Sequence, residues 1–178
     1  MKIILIGYMG SGKTTLAKAL ATTKKIPFID LDDYIATQEK ISVQNIFATK
    51  GEIYFRKKEA FYLQQLLNRE DNFILSLGGG TPCFGNNMLL IQQAFNTLSI
   101  YLKYSPHSLY QRLEKEKGRP LLKGVKREDL EEFISKHLFE RAPFYHQATY
   151  TVIMDGLTLE ESLQQLLKIM NSSHPHFL

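Results

Sequence analysis

The stretch Gly7-Tyr8-Met9-Gly10-Ser11-Gly12-Lys13-Thr14 fills every position of the phosphate-loop pattern G-x-x-x-x-G-K-[ST]. A polyphosphate needs N–H donors that converge on it. A glycine loop opening a helix presents such a nest. In that geometry Lys13 reaches the β- and γ-phosphates and the Thr14 hydroxyl sits on Mg²⁺. Asp30-Leu31-Asp32 then supplies two carboxylates. One can hold Mg²⁺ through water, since this hard cation keeps most of its waters. The other can accept a proton from an attacking hydroxyl. The same acid pair can also serve only the dipole of the helix it begins.

Gly78-Gly79-Gly80 follows an apolar run directly. Three glycines there weaken the fold through chain entropy, so their use is a close backbone approach to a ligand. That run offers Ser76 as its only polar residue, where many phosphate-loop enzymes place a metal-binding aspartate, and this moves the carboxylate role onto Asp30. Three arginines complete the set. Arg56 lies among aromatic residues on a helix pattern and is either a solvated charge or a carboxylate clamp. Arg119 lies in the basic loop 117–126, and Arg141 lies near a helix end before Pro143. Beside a phosphate loop, these two can close over a transferring phosphate and an anionic substrate.

The elements that position these groups alternate. Apolar strand patterns at 2–6, 27–30, 73–77, 98–102 and 150–154 are separated by helical patterns. The helices are expected from Thr14 to Leu20, Leu31 to Thr37, Ser42 to Ala48, Glu52 to Leu67, Asn87 to Phe95, Pro106 to Lys115, Glu128 to Glu140 and Leu159 to Met170. Gly51 is the expected stop between the third and fourth, and the sixth stretch opens on Ser105 as N-cap with proline at N1. Pro143 is expected to close the seventh, and Thr158 with Glu161 reads as a capping box for the last. The tail 171–178 carries no pattern. Five strand–helix alternations give an α/β fold of three layers, a five-stranded parallel sheet flanked by helices. Ligands of such sheets bind beyond the strands' carboxyl ends, where the phosphate loop, Asp30 and the triple glycine all fall.

With 178 residues, the chain suits one domain, and its 44% hydrophobic and 22% charged content is ordinary for a globular protein. The net charge of +4 is spread along the chain and not blocked into a tail. That favours an anionic small substrate over nucleic acid. Cys83 is the only cysteine, which excludes an internal disulfide and fits a reducing compartment. The sequence opens directly on a strand pattern, with no leader and no apolar run of bilayer length. A cytoplasmic protein with no membrane or nucleic-acid partner is expected.

Taken in order, GYMGSGKTT, FIDLDDYI, IFATKGEIYFRKKE, LSLGGGTP, GRPLL and ERAPFYHQA resemble the shikimate kinase family over nearly the whole chain. The phosphate loop is widely shared, whereas this ordered set is much more specific. The resemblance implies a phosphate-loop fold of the nucleoside monophosphate kinase branch. It implies transfer of the ATP γ-phosphoryl group, with Mg²⁺, to the 3-hydroxyl of shikimate in the chorismate pathway. It implies one kinase domain over 1–178, a helical substrate-binding segment from about 31 to 61 and a lid from about 115 to 126, acting as a monomer. By position, Gly10, Ser11, Gly12, Lys13, Thr14 and Thr15 would cradle the ATP phosphates, with Thr14 and, through water, Asp30 on the metal. Asp32 would bind and activate the shikimate hydroxyl. Arg56 and Arg141 would grip its carboxylate, and Gly78, Gly79 and Gly80 would line its ring. Arg119 would be the lid arginine on the phosphates and Arg112 the stacking partner of adenine. Lys13, Asp32 and Arg119 are thus the expected catalytic residues.

The sequence departs from the family pattern at Thr81-Pro82-Cys83, where other small residues often stand, and Asp155-Gly156-Leu157 shows no adenine-binding arginine. A gluconate kinase would share the loop and lid but need no pair of carboxylate-binding arginines. A nucleoside monophosphate kinase would have to accommodate a second base. A GTPase switch would show an Asn-Lys-x-Asp segment, and none is present. A degenerate kinase serving as a partner protein would not need the full catalytic set.

Overall fold

The apolar run after Met1 forms β1 (Lys2–Ile6) and is buried at every position. A central parallel strand covered on both faces has this character. The computed structural model describes residues 1–115, 122 and 124–173. Strand β1 lies between β3 (Phe73–Ser76) and β4 (Thr97–Lys103). Outside them lie β2 (Phe28–Asp30), against β3, and β5 (Tyr150–Ile153), against β4. All four pairings are parallel. Helices α1 (Lys13–Lys24), α2 (Leu31–Glu39), α3 (Val43–Leu67), α4 (Asn87–Gln93), α5 (Pro106–Leu113), α6 (Leu130–Tyr145) and α7 (Leu159–Ser173) flank the sheet.

The strand order β2-β3-β1-β4-β5 has a functional consequence. The chain leaves β1 toward one side and later returns to the other. The carboxyl end of β1 therefore lies at the reversal where ligands of open sheets bind. The register makes the strand ends flush. Ser76 is the partner of both Leu5 and Asp30. The phosphate loop, Asp30 and the triple glycine thus begin side by side.

Local rules explain the elements around this crevice. The Ser42 hydroxyl accepts from the Asn45 amide at the start of α3, and Thr158 and Glu161 form the expected reciprocal box before α7. The expected stop at Gly51 is a kink inside α3, with φ 78° and ψ 173°. A side chain there would meet nothing within 4 Å, so the kink needs glycine for its positive φ alone.

Several expected boundaries differ. Pro143 does not close α6, which continues to Tyr145. The N–H that proline lacks would have gone to the carbonyl of Phe139, an exposed residue, where water can replace it. Strand β3 ends at Ser76, although the Leu77 amide still reaches the Leu5 carbonyl at 3.3 Å. Helix α4 stops at Gln93 because Ala94 is extended, α5 ends at Leu113, and α7 runs on to Ser173. Most of the expected lid, Arg119 included, and the tail beyond Ser173 lie outside the described residues.

Candidate active site

Gly12 takes a left-handed φ of 78° and caps α1, so Lys13 is the first helical residue and the loop's amides crowd a helix N-terminus. Lys13 is buried, and its Nζ donates to the carbonyls of Gly7 at 2.9 Å and Tyr8 at 2.8 Å. The Tyr8 hydroxyl lies 2.9 Å from His137 Nδ1, which ties the loop to α6. On the far side of the loop, Arg112 Nε donates to the Gly10 carbonyl at 2.8 Å, and Nη1 meets the Tyr104 hydroxyl at 3.2 Å.

The two aspartates have separate jobs. Asp30 caps α2 through Oδ1, which accepts from the Asp32 amide at 3.1 Å. Its Oδ2 accepts from the Thr14 hydroxyl at 3.0 Å, and Ser76 Oγ lies 3.4 Å from the same hydroxyl. Helix capping and a link to the phosphate loop are therefore both carried by this one carboxylate. Thr14, Asp30 and Ser76 present hard oxygen donors, the type Mg²⁺ selects. No cluster of three or more His, Cys, Asp or Glu able to hold a metal alone occurs among the described residues.

Asp32 Oδ1 is buried with no hydrogen-bond partner among the described residues. An unsatisfied buried carboxylate oxygen is costly unless a ligand donor meets it. Burial first, then the negative charges of Asp30 and Glu59, push the Asp32 carboxyl up to about 6, against the pull of Arg56 and Lys13. A carboxyl raised this far titrates nearer neutrality than an exposed aspartate does.

The triple glycine brings the remaining groups together, each member against a different side chain. A Cβ on Gly78 would lie 3.3 Å from Asp32 Oδ1. One on Gly79 would lie 3.2 Å from the Met9 amide nitrogen and 3.6 Å from Arg141 Nη1. One on Gly80 would lie 2.9 Å from Arg56 Nη2. A side chain at Gly78 would crowd Thr81 and Asp32, one at Gly79 would push into the phosphate loop, and one at Gly80 would displace Arg56. The Asp32 end of this arrangement opens into a cleft of about 270 Å³. It is lined by the phosphate loop, Thr15, Asp30, Asp32, Ser76, Gly78, Gly79 and Arg112.

Two positioning residues escaped the sequence reading. Glu59 is fully buried. It accepts from Arg56 Nη1 at 2.9 Å and from the Thr81 hydroxyl at 2.6 Å. Its one signal was a charge at a helical spacing otherwise held by Phe55, Leu63 and Leu66. Tyr145, also buried, donates its hydroxyl to the Gly79 carbonyl at 2.5 Å, and no sequence signal marks that contact.

A phosphate loop after the first of five parallel strands, facing a buried carboxylate and two arginines, defines a phosphate-loop kinase of small molecules. The comparisons narrow this class. A sequence model of the shikimate kinase family matches residues 9–171, and the chain belongs to that family. It is 45% identical over 170 residues to the shikimate kinase of Flavobacterium johnsoniae, covering 95% of this chain and 98% of that one. The crystal structure of shikimate kinase from Bacteroides thetaiotaomicron superposes with a TM-score of 0.86 at 38% identity, over 96% and 98% of the two chains. Shikimate kinase from Acinetobacter baumannii in complex with shikimate gives 0.85 at 29% identity, over 97% and 94%.

Proposed function

We propose the following division of labour for the ATP-dependent phosphorylation of shikimate that this enzyme performs. The ATP phosphates lie on the amides of Gly10 to Thr15, and Lys13 turns from the loop carbonyls to the β- and γ-phosphate oxygens. Arg112 flanks the adenine. Thr14, with Asp30 through water, would hold Mg²⁺, which would offset phosphate charge. Arg56 and Arg141 take the substrate carboxylate from two sides of the triple glycine, whose backbone lines the ring. This fixes the 3-hydroxyl at Asp32, which accepts its proton as the hydroxyl oxygen attacks the γ-phosphorus. Arg119, from the lid, meets the charge on the transferring group. The chain works as one kinase domain, with a substrate-binding segment at about 31–61 and a lid at about 115–126. Every assigned residue comes from the same chain, so a monomer suffices.

The observation that carries this reading is the buried, unpartnered Asp32 oxygen between the phosphate loop and two arginines. Acceptor choice tests it. ATP consumption with Mg²⁺ is expected to rise well above background with shikimate and stay at background with gluconate and nucleoside monophosphates. Turnover stimulated by gluconate and not by shikimate refutes the assignment.

A further inference from the structure

The segment that departs from the family pattern, Thr81-Pro82-Cys83, forms a 3-10 turn that hands the chain to an extended Phe84. Phe84 is 36% exposed as a residue, yet its ring centroid lies 3.8 Å from Arg56 Cζ. The turn is anchored twice. Thr81 donates its hydroxyl to Glu59, and its carbonyl accepts from Asn87 Nδ2 at 2.9 Å. Glu59 in turn holds Arg56. Arg56, Glu59, Thr81 and Phe84 therefore close a ring of contacts.

Within that ring the guanidinium is held in two different ways. Glu59 fixes one nitrogen at the edge, a single contact that leaves the plane free to tip. Glu52 approaches Nε and Nη2 only at 3.3 Å from an exposed position, where water and salt screen it. Two rings lie within cation–π reach of Arg56 Cζ, Phe55 at 5.2 Å and Phe84 much nearer at 3.8 Å, so the π face of Phe84 does most to resist tipping. A guanidinium must meet a carboxylate in its own plane, so the plane decides whether two parallel hydrogen bonds can form.

We propose that Phe84 is a positioning residue whose ring face sets the plane of the Arg56 guanidinium for the substrate carboxylate. The proposal rests on the reading of Arg56 as a carboxylate ligand. A contact of this type, partly exposed, is worth a KM effect of about five- to twentyfold. Phe84→Leu keeps the apolar bulk and removes the π face. It is expected to raise the KM for shikimate by that factor, with kcat and the KM for ATP within about twofold of wild type. Phe84→Tyr restores the face and is expected to behave as wild type. With the methyl ester of shikimate, which has no carboxylate charge, Phe84→Leu and wild type should share one KM. Arg56→Lys separates the two levels. If it leaves the KM for shikimate unchanged, the reading of Arg56 fails and the proposal with it. If it raises the KM while Phe84→Leu does not, or if Phe84→Tyr is as impaired as Phe84→Leu, the role of Phe84 alone is overturned.

Discussion

Asp32→Asn is expected to lower kcat by about a hundred- to ten-thousand-fold while ATP binds as before. The amide keeps the shape of the side chain and cannot accept the hydroxyl proton. The same variant is expected to be more stable. Asp32 holds its proton up to about pH 6 in the folded protein, above the ordinary carboxylate value. The folded state thus binds this proton more tightly than the unfolded chain, and stability falls as pH rises from about 4 through 6. Above that window the buried charge opposes folding by about 1–3 kcal/mol, which asparagine does not carry. Asp32→Asn should therefore have a higher Tm at pH 7.5, with the gain shrinking toward pH 4. Wild-type kcat/KM should show an acid limb near pH 6. A variant with unchanged kcat would reduce Asp32 to an acid serving the dipole of α2.

Arg119→Ala is expected to lower kcat by about a hundredfold or more, by analogy with arginine fingers, with little change in the KM for shikimate. Lysine should rescue it only in part, since it lacks the planar fork. Arg141→Ala should behave in the opposite way. Arg141 stands on α6 beside Gly79, with its guanidinium 5.8 Å from the Tyr8 ring. Its proposed partner, the substrate carboxylate, carries the same charge in ground state and transition state. Losing a charged hydrogen bond of that uniform kind should raise the KM for shikimate by about ten- to a hundredfold and spare kcat. Steady-state kinetics with ATP and shikimate varied separately checks both. The same pattern in the two variants, or the reverse pattern, overturns the division between lid and substrate arginines.

What was legible in the sequence was what is contiguous in it. The phosphate loop is one unbroken motif, and Asp30 and Asp32 follow a recognisable strand. The Asp30 side chain meets the loop at Thr14, and Asp32 lies beside Gly78, because parallel strands end flush. The strand order was not legible, since alternation of strands and helices fixes direction and layers but leaves neighbours open. The triple glycine announced a close approach without saying to what. Three different elements supply the answer, with Asp32 on α2, Arg56 on α3 and Arg141 on α6. Tyr145 was missed because its partner lies 66 residues away in sequence, and Glu59 because its place three residues after Arg56 reveals neither its burial nor its bond to Thr81, 22 residues on. Pro143 misled because the last turn of a helix can carry a proline when the carbonyl it strands, here that of exposed Phe139, is open to water.

The central claim, phosphoryl transfer to one hydroxyl held at Asp32, is tested most directly by the position of the phosphate in the product. After incubation with ATP, Mg²⁺ and shikimate, ³¹P–¹H correlation NMR should show a single phosphate monoester, coupled to the proton on the carbon bearing the 3-hydroxyl. One equivalent of ADP should form for each ester. A phosphate on another hydroxyl, or ADP released with inorganic phosphate and no ester, would contradict it.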